Sequence, residues 1–190
     1  MPPDLDDARQ TLLAELREHA LVFGEVTLSS GRTAQYYVDA KRALLRPPAY
    51  RAAGALIAAE AAERGANAVG GMTMGADPLA CAAIGSEGGD RLVAFFVRKE
   101  RKEHGLQRWI EGPELADDTR CLVVEDVVTT GGSTVRAIER IREEGLAVAA
   151  VTAVVDRLAG GGEVIEQAAE APYRPLLTID DLYPDRPDRR

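Results

Sequence analysis

At 190 residues with a formal charge of −8 and a pI near 4.9, the chain suits one domain with a sizeable core, or a domain with a small appendage. Its 46% apolar share is that of an ordinary globular protein and excludes intrinsic disorder. No apolar run approaches the roughly 20 residues of a bilayer span, and the acidic balance excludes non-specific nucleic-acid binding, which needs a basic face.

The first ten residues, MPPDLDDARQ, lack the basic-then-apolar order of a secretory signal, so a cytoplasmic protein with no membrane partner is expected. Residues 5–20 place Leu5, Ala8, Leu12, Leu16 and Ala20 at helical spacing, with acidic residues in the first turns where the helix dipole favours them. Residues 24–40 hold two β-prone runs around Ser-Ser-Gly-Arg, the pattern of a hairpin. Pro47-Pro48 opens an Ala-rich helix that ends at Gly65.

From there strand, loop and helix alternate. Strands are expected at 68–72, 91–99, 120–127, 147–156 and 174–179, with helices at 78–85, 133–145 and 163–170. Val135, Ile138 and Ile141 mark one face of the second of these helices. Near-continuous apolar strands separated by helices predict an α/β fold, a parallel sheet flanked by helices on both faces. The chain divides into residues 1–46 (helix and hairpin), 47–183 (α/β core) and 184–190, an all-polar tail expected to be flexible. Cys81 and Cys121 lie far apart with no metal-ligand spacing around them, so both read as free thiols in apolar surroundings.

In such a sheet, ligands bind at the carboxyl ends of the strands. That points to the loops after Met72, Val97, Val128 and Val155. Residues 122–134, LVVEDVVTTGGST, form an apolar strand ending in Glu125 and Asp126, then a small-residue loop leading into a helix. Backbone N–H groups around Gly131 and Gly132, the helix N-terminus, and the hydroxyls of Thr129, Thr130, Ser133 and Thr134 suit a phosphate monoester. Glu125 and Asp126 are acceptors for ribose hydroxyls or a hydrated metal. Taken alone, the same string also fits a plain helix N-cap after a solvated strand end. Residues 98–108, RKERKEHGLQR, concentrate positive charge in an otherwise acidic chain. Bringing Arg98, Lys99, Lys102 and His104 together costs repulsion unless an anion is near; a solvated charged loop is the alternative. Gly105, Gly112 and Pro113 bound a stretch suited to a lid.

The full string 122–134 resembles the PRPP-binding signature of type I phosphoribosyltransferases. Arg-Lys-x-x-Lys-x-His-Gly resembles the catalytic loop of the orotate phosphoribosyltransferases within that superfamily, and residues 26–32, 36–42, 71–80 and 154–157 are similar to that family too. The resemblance implies a phosphoribosyltransferase core with a small N-terminal hood that includes the hairpin. It implies transfer of the phosphoribosyl group from PRPP to orotate, with Mg²⁺ carried by PRPP and no metal bound directly by the protein. PRPP would be held by Arg98, Lys99, Lys102, His104, Glu125, Asp126, Val127, Val128, Thr129, Thr130, Gly131, Gly132 and Ser133. Lys102, His104 and Asp126 would be the catalytic residues. Thr129, Arg157 and the hairpin at Tyr36 and Tyr37 would hold orotate, Arg157 by a bidentate pair with its carboxylate. A homodimer whose basic loop acts in the neighbouring subunit is implied as well.

Two departures stand out. Some members carry diphosphate-binding lysines where this chain has Ser29 and Gly75, the latter after Met74. Two other functions remain open at this stage. A purine or uracil phosphoribosyltransferase shares the phosphate loop but has no need of a carboxylate-binding arginine. A non-catalytic PRPP-sensing regulator needs a basic face or an added domain, for which this acidic chain has no room.

Overall fold

A computed structural model describes residues 4–27, 33–101 and 108–189. Helix α1 (Leu5–His19) starts at Asp4, whose side chain accepts from the backbone N–H groups of Asp6 and Asp7, satisfying donors that a helix start leaves unpaired. The hairpin follows as β1 (Leu21–Thr27) and antiparallel β2 (Thr33–Val38); its expected Ser-Ser-Gly-Arg turn lies outside the described residues. A single turn, α2 (Lys41–Leu44), leads to α3 (Pro47–Arg64), which ends at Gly65 in the left-handed conformation.

The core then runs β3 (Ala68–Met72), α4 (Asp77–Ile84), β4 (Val93–Val97), β5 (Ile110–Glu111), β6 (Arg120–Val128), α5 (Gly132–Glu143), β7 (Ala147–Asp156), α6 (Gly161–Ala169), β8 (Leu177–Thr178) and α7 (Ile179–Leu182). The sheet order is β5-β4-β3-β6-β7-β8, parallel except for the antiparallel edge strand β5. Along β6, Leu122 and Val124 face one apolar core while Cys121 and Val123 face the other. This is the covering of both faces that continuous apolar strands require. On the second face α5 buries Ala137, Ile138 and Ile141, while Val135 is only half-buried. Each such large aliphatic side chain contributes about 2 kcal/mol on burial. Cys121 is buried and its thiol is pushed up to about 12 by that burial. Among the described residues no helix is long and apolar enough to cross a membrane.

Three differences from the sequence reading have local causes. The last strand, expected over 174–179, is two residues long: Arg174 and Leu176 donate to the Val151 and Ala153 carbonyls ahead of it, and Thr178, its last paired residue, caps α7 in a capping box with Asp181 and ends it. Two elements, α2 and β5, are too short to leave a periodic signal. The tail expected to be flexible makes specific contacts through residues 186–188: the Arg186 guanidinium meets Asp180 at 2.9 Å and Asp188 at 3.0 Å, and the Tyr36 hydroxyl donates to Asp188 at 3.0 Å.

Candidate active site

Successive strands are added on one side of β3 and then on the other, so the crevice opens where the carboxyl ends of β3 and β6 diverge. Glu125 and Asp126, both buried, end the apolar run of β6 there. Glu125 Oε2 accepts from Ser133 Oγ at 2.8 Å and from Thr134 Oγ1 at 3.1 Å. Thr134 is therefore committed to Glu125 inside the protein, not to the phosphate cradle where its hydroxyl was expected. Burial pushes the Glu125 carboxyl up to about 7; the Ser133 bond opposes this and the Asp126 charge adds to it.

Lys41, at the start of α2, donates from Nζ to Asp126 Oδ2 at 2.8 Å and lies 3.8 Å from Asp39. Burial works against its charge, but the Asp126 bond and the Asp126 and Asp39 charges outweigh it and raise its pKa. Sequence reasoning missed this residue. A signal was there: Lys41 is the one lysine of the sequence outside the basic loop.

The loop after β6 leaves Thr129 and Thr130 exposed and turns at Gly131, φ +79°, into α5. The first-turn N–H groups of that helix have no intrahelical acceptors, the arrangement that suits a helix start to an anion. Val128 is buried and Val127 half-buried, so both adjoin the loop chiefly through their backbone. The Val128 carbonyl accepts from the Arg157 N–H at 2.8 Å.

Two cavities meet at this edge. The larger, about 330 Å³, is lined by Lys41, Met72, Thr73, Met74, Gly75, Lys99, Glu125, Asp126 and Ser133. The smaller, about 150 Å³, is lined by Tyr37, Val38, Lys41, Asp126, Val127, Thr129 and Arg157. The Arg157 guanidinium lies 4.8 Å over the Tyr36 ring, and its Nε is buried with no hydrogen-bond partner among the described residues. A buried donor left unpaired is costly and marks a place where an acceptor belongs. Tyr36 is itself buried, with its hydroxyl on Asp188, so its ring supports Arg157 while Tyr37 lines the cavity.

Of the basic loop, Lys102 and His104 lie outside the described residues. Lys99 lines the larger cavity, whereas Arg98 pairs with Glu111 at 3.0 Å and lines an adjoining hollow with Thr73 and Phe96. Both stems of the loop rest on α5. Arg140 donates to the carbonyls of Arg98 and Lys99 and stacks 4.2 Å over Trp109. Trp109 in turn donates to Glu143 at 2.6 Å and, through its backbone, to Glu144 at 2.8 Å. Neither Arg140 nor Trp109 stood out in the sequence. Among the described residues no group of three or more His, Cys, Asp or Glu side chains is placed to hold a metal ion.

The glycine-and-hydroxyl loop, the Glu125–Asp126 pair, the smaller cavity with Arg157 and the flanking Lys41 and Lys99 form one connected edge. The phosphoribosyl transferase domain model matches residues 77–172. An orotate phosphoribosyltransferase of Corynebacterium glutamicum (strain R) is 50% identical over 177 residues, 93% of this chain and 94% of its own length. The crystal structure of Mycobacterium tuberculosis H37Rv orotate phosphoribosyltransferase with Fe(III) dicitrate superposes with a TM-score of 0.82 at 43% identity, covering 92% of this chain and 98% of that one. The same enzyme in complex with PRPP gives a TM-score of 0.79 at 39% identity, covering 92% and 98%.

Proposed function

This chain belongs to the orotate phosphoribosyltransferase family, and from that premise we propose how its residues divide the work. The reaction transfers the 5-phosphoribosyl group of PRPP to orotate, giving orotidine 5′-monophosphate and diphosphate for UMP biosynthesis. The 5′-phosphate sits in the backbone cradle of residues 127–133, with the Thr129 and Thr130 hydroxyls and the first-turn backbone N–H of Ser133 donating. Glu125 and Asp126 accept the ribose 2′ and 3′ hydroxyls. Orotate enters the smaller cavity, held by Thr129, the hairpin backbone at Tyr36 and Tyr37, and Arg157 on its carboxylate. The observation that carries this reading is Arg157: a guanidinium with a buried, unpartnered Nε, facing one small cavity together with Asp126.

Breaking the bond from C1 to diphosphate leaves an oxocarbenium-like ribose, so catalysis rests on positioning and electrostatics. Asp126 holds the ribose as charge develops at C1. Lys102 and His104 neutralise the departing diphosphate, with Lys99 lining the same cleft and Arg98 supporting from its edge. The donor set fits Mg²⁺ that arrives with PRPP: two adjacent carboxylates are acceptors suited to the waters of a hydrated cation. Glu125 and Asp126 would hold it through its waters, and it would offset diphosphate charge. The protein acts in the cytoplasm as a homodimer, with the basic loop completing the neighbouring subunit's site.

The test offers purified protein PRPP and Mg²⁺ with orotate, uracil or hypoxanthine in turn and follows base consumption spectroscopically. Orotate alone is expected to be consumed. Consumption of uracil without orotate overturns the reading.

A further inference from the structure

The sequence holds only three lysines among its 23 Lys and Arg residues, and two of them belong to the basic loop. The third, Lys41, is brought to the same cleft from the turn after the hairpin. Lys41 and Asp126 are the two residues shared by both cavities, so they stand on the border between the ribose–diphosphate side and the base side.

The cleft wall formed by Met72, Thr73, Met74 and Gly75 carries no charged side chain, and position 75 stands against the two carboxylates with no side chain of its own. A Cβ at Gly75 would fall 2.7 Å from Asp126 Oδ1 and 3.0 Å from Glu125 Oε1. Among the described residues, positive side chains reach this cleft only from Lys41 and Lys99, against two carboxylates. Without Lys41 the two carboxylates outnumber the described cations of this cleft, so a diphosphate entering there is better held when both lysines face it. The base side already has Arg157 for a single carboxylate. The Lys41 side chain is 42% exposed, and an ammonium on a flexible stem with three donors can exchange one oxygen for another.

We propose that Lys41 is a substrate-binding residue that gives up Asp126 to the ribose hydroxyls and donates instead to the diphosphate of PRPP. The inference rests on the functional reading above, in which Asp126 holds ribose. The lysine thus keeps the carboxylate neutralised in the empty site and carries its charge to the leaving group in the filled one.

The test uses full-length Lys41→Met and Lys41→Arg, with Mg²⁺-diphosphate, PRPP and ribose 5-phosphate titrated separately by calorimetry. Lys41→Met should weaken diphosphate and PRPP about tenfold or more, the loss of one charge-assisted contact. Ribose 5-phosphate should bind within about twofold of wild type, because it lacks the group Lys41 serves. Lys41→Arg should recover part of the loss. Unchanged diphosphate affinity in Lys41→Met, or an equal loss of ribose 5-phosphate, overturns the proposal. Asp126→Asn supplies a second arm that is independent of the Asp126 pair. Adding Lys41→Met to it should still weaken diphosphate, and no further effect would reduce Lys41 to a counter-ion of Asp126. Turnover of orotate by the wild type is measured first, so that its absence counts against the function and the titrations judge Lys41.

Discussion

A Cβ added at Gly131 would lie 2.8 Å from the carbonyl oxygen of Gly161, and Gly131 already holds φ at +79°. The phosphate loop is therefore packed backbone to backbone on the first turn of α6, with no space for a side chain between them. Gly131→Ala should cost about 1–2 kcal/mol in left-handed strain alone, more with the contact. It should also weaken ribose 5-phosphate by displacing the first-turn N–H groups. Denaturant unfolding and calorimetry check both effects; wild-type values in both would show that the loop tolerates a side chain there.

Arg157 approaches its cavity across the Tyr36 ring with a donor unused. Arg157→Gln should raise the orotate KM by about 10- to 100-fold, the loss of a hydrogen-bonded charge partner, and leave the PRPP KM nearly unchanged. Steady-state kinetics with each substrate varied in turn decides this. An effect confined to PRPP would move Arg157 out of the base pocket.

Lys102→Ala should lower kcat by on the order of 10²-fold or more, as for a donor engaged in the transition state. If the loop acts across a homodimer, Lys102→Ala and Arg157→Gln subunits carry their defects in different halves of each site. Mixed dimers then contain one intact site, and a random mixture should regain about a quarter of wild-type activity. Recovery no greater than the sum of the two variants would place the loop in its own subunit's site.

Burial raises the Glu125 carboxyl from its ordinary value near 4.5 to about 7. Between these values the native protein keeps a proton that the unfolded chain has released, so stability falls as pH rises through that window. Glu125→Gln removes the titrating group. Its melting temperature relative to wild type should therefore climb from pH 5 to pH 8. A difference that stays flat with pH would mean that Glu125 ionises normally in the fold.

The Tyr36 hydroxyl donates to Asp188, which the Arg186 guanidinium also holds. A chain ending at residue 184 loses both, and should lose roughly 1–3 kcal/mol of stability. Its orotate KM should rise as well, because Tyr36 supports Arg157. Thermal unfolding and orotate kinetics test the link; full stability and unchanged orotate KM would make the tail dispensable.

The phosphate loop and its carboxylates were legible because they are contiguous. An apolar run, two acids, glycines and hydroxyls within residues 122–134 encode strand, turn and helix start through local sterics and hydrogen bonding. The basic loop stands out in the sequence for the same reason, as a cluster of charge in an acidic chain, though Lys102 and His104 lie outside the described residues. Arg157 was weaker: by itself an arginine after a strand reads as surface, and only the family pattern around it spoke for orotate.

What the sequence by itself determined was the alternation of strands and helices, the glycine-and-hydroxyl loop that follows the Glu125–Asp126 strand end and, through its family pattern, the kind of chemistry. The tertiary structure alone decided which distant residues share that edge. Lys41 reaches Asp126 across 85 positions of sequence, Arg140 grips the carbonyls of Arg98 and Lys99 from the helix that the phosphate loop begins, and Asp188 returns to Tyr36 across 152. Local backbone preferences act over a few residues, whereas these pairings depend on strand order and on which faces are buried. No short pattern in the chain encodes them.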